Sequence, residues 1–340
     1  MSKKNSSVIL KNGFKNYEDL SHIYSDFKKK LNSIKSKTFL VAVSGGPDSL
    51  ALAALTKAYN YEKKSKIYFV LVDHNLRSSS SKEAQSVKKL LKKHKIFTTI
   101  LKNKILINKN IQSRAREIRY DLLTSFCKKK KIKTILTAHN LEDQVETFFI
   151  RLSRGSGLHG LSSIKQNIKI NGNINLIRPL LDIKKIQLIK ISKTVFKTYF
   201  KDPTNKDTKY LRTRIRSLKA SLEKSGIKYE QIIKSIKNLA SSRDTLDLYF
   251  DRIYQQIVIY KKNRLLIKKK DFIDLNEEMK MRILKQSIKN LTKAYYSPRT
   301  KKVFNLIEKL QDRKELKVIF AGCVILFEKN HIIFTKQRKN

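Results

Sequence analysis

Tryptophan is absent from this chain, and cysteine, proline and glycine are scarce, at two, four and nine residues of 340. The two cysteines, Cys127 and Cys323, lie far apart. They offer no disulfide framework, no Cys-x-x-Cys and no ligand set for zinc or an iron–sulfur cluster, which fits a reducing cytoplasm. No apolar run approaches the roughly 20 residues of a membrane helix. Met1 to Phe14 carries no signal-peptide apolar core, so the expected location is cytoplasmic, away from membranes. Acidic residues are also few: 28 Asp and Glu stand against 76 Lys and Arg, for a net charge of +48. A field of that size attracts polyanions, with RNA and DNA the obvious class. The excess is mostly lysine in a Lys-, Ile- and Asn-rich background, which an AT-rich genome also produces, so composition alone leaves nucleic-acid binding open. Arginine is more telling. Nine of the 17 arginines fall between Arg114 and Arg216, and planar two-point contacts to phosphate or carboxylate favour arginine over lysine.

What is present is a globular chain, 40% hydrophobic, long enough for two or three domains. Against its economy of glycine, Ser44-Gly45-Gly46-Pro47-Asp48-Ser49 stands out. The apolar run Phe39 to Val43 before it reads as a buried strand, and Leu50 to Tyr59 after it as a helix. Strand, glycine turn and helix N-terminus make an anion cradle. A Walker loop would carry Lys and Ser/Thr after its last glycine; this loop carries Asp48-Ser49. A carboxylate beside phosphate needs a cation between them, which points to Mg²⁺ held by Asp48 against pyrophosphate oxygens. The plainer reading is a glycine turn with Asp48 as a helix N-cap.

The pattern then repeats. Ile67 to Val72 is a second strand ending in Asp73-His74-Asn75-Leu76-Arg77, followed by a basic helix from Lys82 to His94 and a strand from Phe97 to Leu101. A helix over Gln112 to Leu123 puts Ala115, Ile118 and Leu122 inward, with Arg116 and Arg119 together on one face and Arg114 elsewhere. Thr134 to Thr137 is a fourth strand, ending in His139-Asn140-Leu141-Glu142-Asp143-Gln144-Val145-Glu146-Thr147. Asp143 and Glu146 share a helical face. A glycine-rich loop, Arg151 to Gly160, precedes Arg178-Pro179-Leu180-Leu181 and a helix over Ile183 to Phe196. Asp202-Pro203-Thr204-Asn205 reads as a turn. In the helix opened by Leu211, Arg212 and Arg216 face together and Arg214 lies nearly opposite. Alternating strands and helices predict an α/β fold, a mostly parallel sheet with helices on both faces. Beyond about Leu222 a long helical periodicity runs from Ile227 to Tyr260. Strands over 264–267, 317–320, 323–327 and 331–335 and helices over 279–291 and 298–310 predict a smaller α+β C-terminal domain. The expected division is 1–217 and 218–340, and no internal repeat is present.

Taken in order, the motifs resemble those of the tRNA(Ile)-lysidine synthetase family of PP-loop ATP pyrophosphatases. They are Ser44 to Ser49, Asp73 to Arg77, His139 with Glu142 to Thr147, Arg151 to Gly157, Arg178 to Leu181, Asp202 to Asn205 and Tyr210 to Arg216. The resemblance covers roughly 37–216 strongly and 220–335 weakly, without the extra terminal domain of longer members. The chain departs from the family's usual His-His at His139-Asn140, from Asp-Asp-Gln at Glu142-Asp143-Gln144, and from Arg-Asn-Arg at Arg212-Thr213-Arg214. The resemblance implies a ligase with ATP and Mg²⁺ as cofactors. It adenylates the wobble cytidine of the CAU anticodon of tRNA(Ile), releases pyrophosphate, and lets free L-lysine displace AMP. On that basis Ser44, Gly45, Gly46, Pro47, Asp48 and Ser49 are expected to hold ATP, with Asp48 on the metal. Asp143 and Glu146 are expected to receive the lysine ammonium, and His139 to contact the nucleotide or take the amine's proton. Arg114, Arg178 and Arg212 are the candidates for phosphate or lysine carboxylate. A tRNA thiolase on the same scaffold and a non-catalytic basic RNA-binding protein are the alternatives. Monomer and homodimer are both open.

Overall fold

The computed structural model describes residues 4–107, 111–171, 173–201, 207–292, 298–311 and 316–337. They form two compact units, 1–240 and 241–340.

The first unit begins with helices α1 (Lys4–Lys11) and α2 (Glu18–Asn32). Strands β1 (Thr38–Val43), β2 (Lys66–Asp73), β3 (Thr98–Lys102) and β4 (Thr134–Leu136) then alternate with helices α3 (Pro47–Lys63), α4 (Ser80–Lys93), α5 (Ile111–Lys129) and α6 (Leu141–Leu152). A short helix α7 (Leu158–Leu161), the hairpin β5 (Asn167–Ile170) and β6 (Ile174–Ile177), and helices α8 (Lys185–Phe196), α9 (Leu211–Ser217) and α10 (Lys219–Lys224) follow. The six strands lie in the order β3-β2-β1-β4-β6-β5. All pairs are parallel except β5 with β6.

Alternation along the strands decides which face each residue serves. Phe39, Val41 and Val43 of β1 join Leu136 and Ile177 under α3 and α8. Leu40, Val70, Ile135 and Leu176 turn to the opposite face, where Tyr120, Leu123 and Cys127 of α5 cover them. The inward face of α5 uses Leu123 rather than the expected Leu122. The antiparallel β5 was not legible as a strand. It is a four-residue edge whose residues 167–169 stay exposed or half-buried, so it carries no apolar run.

The helix α11 (Tyr229–Ile257) starts on the first unit, where Tyr229, Ile232 and Ile236 pack with Val145 of α6. This apolar stripe carries the first unit on to Ala240, beyond the division expected at 217. The second unit has a five-stranded antiparallel sheet, β7-β8-β11-β10-β9. Its strands are β7 (Val258–Lys261), β8 (Arg264–Lys268), β9 (Leu316–Phe320), β10 (Cys323–Phe327) and β11 (His331–Lys336), and its helices are α12 (Lys269–Ile273), α13 (Glu277–Thr292) and α14 (Thr300–Gln311). One sheet face, with Leu265, Ile267, Ile325 and Phe334, packs against Ile283, Leu284, Val303 and Leu306 of α13 and α14. The helical period read through Tyr260 stops instead at Ile257. The branched pair Val258-Ile259 begins an edge strand paired with β8. No helix among the described residues is long and apolar enough to cross a membrane.

Candidate active site

Strand order brings the polar clusters together. β1 lies between β2 and β4, so the loops leaving the carboxyl ends of all three open into one cleft, the place where open α/β sheets take ligands. The glycine loop leaves β1. Gly45 has φ +86, and a Cβ there would meet Val87 Cγ2 at 2.5 Å, so only glycine fits. Gly46 caps α3, Pro47 opens its first turn, and no side chain caps this N-terminus. Asp48 is therefore not the N-cap. The Ser49 hydroxyl donates to Gly46 O at 3.0 Å and accepts from Ser44 N–H at 3.1 Å, which closes the loop on itself.

Asp48 Oδ1 is buried and has no hydrogen-bond partner. Burial pushes its carboxyl up to about 6; the Lys185 ammonium opposes the rise, Asp143 adds to it, and a hydrogen bond from Asn140 lowers it. A buried carboxylate oxygen without a donor is what a cation would satisfy. Among the described residues no three His, Cys, Asp or Glu side chains gather as a metal site. Mg²⁺ does not need such a cage, because it commonly binds through one or two carboxylates plus substrate phosphates. The donor set at Asp48 fits that mode.

At the end of β2, Asp73 accepts from Asn75 N–H at 2.9 Å and from the Ser81 hydroxyl at 2.7 Å. These bonds outweigh burial and hold its carboxyl below the usual value. Arg119 Nε lies 3.1 Å from His74 Nε2. At the end of β4, His139 Nδ1 lies 3.1 Å from Thr137 Oγ1. Burial, then the charges of Arg178, Arg116, Arg212 and Arg119, hold its pKa well below the imidazole value, so the ring is neutral.

Asn140 and Asp143 cap α6 reciprocally. The Asn140 side chain accepts from Asp143 N–H at 2.9 Å, and Asp143 Oδ2 accepts from Asn140 N–H at 3.0 Å. Glu142 Oε2 accepts from the Lys185 N–H at 2.8 Å, which fixes the start of α8 beside the start of α6. Asp143 Oδ1 pairs with Arg212 Nη2 at 2.8 Å. Glu146, 3% exposed, receives Arg212 Nε and Arg216 Nε, each at 2.5 Å. Arg178 is buried, and its Nη1 donates to Lys165 O at 2.6 Å. Arg114 lies in an exposed pair with Glu117 of its own helix, at 2.9 Å. Asp202 to Asn205 lies outside the described residues.

Comparison with known proteins adds to this geometry. A family model described as a PP-loop domain matches residues 19–221. The tRNA(Ile)-lysidine synthase of Wolbachia pipientis wMel is 35% identical over 294 residues, covering 84% of this chain and 67% of that protein. The chain belongs to the tRNA(Ile)-lysidine synthase family. The lysidine synthase of Rickettsia typhi is 31% identical over 323 residues, 93% of this chain and 74% of that protein. That of Orientia tsutsugamushi is 43% identical over 183 residues, 54% of this chain and 41% of that protein. The chain thus matches only part of the length of these lysidine synthases. Among solved structures, the U34-tRNA thiolase of Methanococcus maripaludis superposes with a TM-score of 0.55 at 19% identity, over 65% of this chain and 78% of that one, a likeness of fold.

In this lysidine synthase family member, Asn140 has a physical role as the cap of α6. The spacing Asn140-x-x-Asp143 could have announced it. Arg216, Arg116 and Arg119 were visible as paired faces but were not singled out as site residues. Nothing in the sequence announced Lys185, whose place depends on how α8 packs.

Proposed function

We propose that the chain ligates lysine to the wobble cytidine of tRNA(Ile) bearing the CAU anticodon, at the expense of ATP. The observation that carries this reading is the buried, unpartnered Oδ1 of the Asp48 carboxylate at the uncapped N-terminus of α3, in a chain of this family. The cytidine C2 oxygen attacks the α-phosphorus of ATP. The α–β anhydride breaks, pyrophosphate leaves with the bridging electron pair, and the nucleotide remains as an adenylate. The lysine amine then attacks C2 and AMP departs. The Ser44 to Ser49 backbone and the α3 dipole receive the polyphosphate. Asp48 would hold Mg²⁺, which when bound offsets charge on the leaving pyrophosphate.

Asp143 and Glu146 would seat the lysine ammonium in place of the guanidinium that now spans them, leaving Arg212 to face the lysine carboxylate. His139, neutral at physiological pH, is in the form that accepts a proton or a hydrogen bond, although burial first and the surrounding arginines second weaken it as a base. Arg116 and Arg119, whose charges reach His139, are the candidates to meet an anticodon phosphate, while the buried Arg178 adds positive potential from beneath. Sulfur chemistry has little support: burial pushes the Cys127 thiol up to about 12 and that of Cys323 up to about 11, and the two lie in separate units.

The test incubates the protein with ATP, Mg²⁺, radiolabelled lysine and a tRNA(Ile) transcript carrying CAU, with a sulfur donor in a parallel reaction. Lysine incorporation accompanied by AMP and pyrophosphate is expected. Sulfur incorporation without lysine incorporation would overturn the reading. Asp143→Asn should raise KM for lysine more than KM for ATP; equal effects would move Asp143 to the nucleotide.

A further inference from the structure

Helix α8 begins against a simple rule. Helix N-termini favour acidic side chains and disfavour cations, yet α8 has no acid in its first turn and opens with Lys184-Lys185-Ile186. A local rule broken in this way usually marks either a compensating partner or a function. Lys184 has its partner, Glu230 Oε1 at 2.9 Å. Lys185 has its backbone fixed by Glu142, and its ammonium acts on Asp48 more strongly than any other charge.

The packing of α8 explains that proximity. The Ser192 hydroxyl donates to Pro47 O at 2.5 Å, so this face of α8 lies on the glycine loop. Lys185 is seven residues earlier, two turns along the same face. α3 and α8 both return from the carboxyl ends of parallel strands. With Ser192 level with Pro47, Lys185 stands roughly 10 Å nearer the mouth of the cleft. A nucleotide whose phosphates start at Gly45 and Gly46 would extend its chain toward it. The loop lacks the lysine that a Walker loop would supply from within.

We propose that Lys185 is the cation for the distal phosphates of the nucleotide, supplied from α8 instead of from the glycine loop. It rests on the reading of Ser44 to Ser49 as the ATP site. Its ammonium donates hydrogen bonds to β- and γ-phosphate oxygens and gains strength as charge builds on the departing pyrophosphate. No proton is transferred, because a phosphate dianion does not take one from an ammonium near neutrality. The ligand class is a polyphosphate chain. AMP, which ends at the α-phosphate, does not reach Lys185.

The test is equilibrium binding of ATP, inorganic pyrophosphate and AMP, each with Mg²⁺, to wild type, Lys185→Ala, Lys185→Arg and Lys184→Ala, with the thermal midpoint recorded for each protein. Lys185→Ala should weaken ATP and pyrophosphate roughly tenfold or more, as expected when a charge-assisted hydrogen bond is removed, and should leave AMP within about twofold. Lys185→Arg should hold ATP and pyrophosphate within about threefold of wild type, and Lys184→Ala should match wild type. Equal losses for AMP and ATP, or no loss for pyrophosphate, would overturn the role of Lys185 while leaving the ATP site standing. Wild-type protein that binds neither ATP nor pyrophosphate would overturn both.

Discussion

Asp48 carries an opposition between stability and function. Its folded-state carboxyl sits at about 6, above the unfolded value of about 3.9. Below about pH 4 both states hold the proton. Between about pH 4 and 6 the native state keeps a proton that the unfolded chain has lost, so native stability falls as pH rises, and the loss persists at pH 7. Without Mg²⁺, Asp48→Asn should therefore gain up to about 3 kcal/mol over wild type at pH 7 and almost nothing at pH 4. Urea unfolding at the two pH values checks this, and parallel curves would remove the penalty assigned to Asp48. The same variant should lose pyrophosphate release. Gly45→Ala should destabilise by about 1–3 kcal/mol through its φ and its approach to Val87; an unchanged thermal midpoint would count against that strain. Asn140→Ala should cost about 1 kcal/mol as a lost cap, whereas Asn140→Asp should keep most of it. At this scale the glycine loop was legible because its chemistry is local. The cap was half-legible in its spacing. The place of Lys185 was not, because it depends on a helix that begins some 140 residues after the loop it serves.

At the scale of elements, α6 and α9 are joined by a charge clamp. Glu146 is almost fully buried and meets Arg212 and Arg216 from the facing helix. Breaking one side of such a pair leaves a buried charge and costs about 3–5 kcal/mol. Glu146→Ala and Arg216→Ala should each destabilise markedly, and the double variant should cost less than their sum. A coupling energy near zero by chemical denaturation would mean that the two side chains act independently. The shared faces of Asp143 with Glu146 and of Arg212 with Arg216 were readable from helical spacing alone. That the two pairs face each other was not, since periodicity says nothing about which helices meet. Strands β1, β2 and β4 were read close to their limits, because their apolar runs are largely buried on both faces. β5 and β7 escaped, because short edge strands bury too little to leave a pattern.

For the molecule as a whole, positive charge outweighs every other surface property. Neutralising four or five lysines in 241–340 should weaken tRNA binding uniformly across sequences. It should also make the plot of log affinity against log salt shallower, by nearly one unit for each phosphate left without its lysine. An unaltered slope would assign that charge to composition alone. The helix starts around the cleft differ in a way that bears on how a ligand enters. α6 is closed by Asn140 and Asp143, and the first N–H of α8 is taken by Glu142. α3 has no side-chain cap. An anion entering the cleft thus meets one open positive pole beside two that are already occupied. The cleft has a polarity, and under the proposed reading the polyphosphate of a nucleotide would lie toward β1, at the one helix start left open.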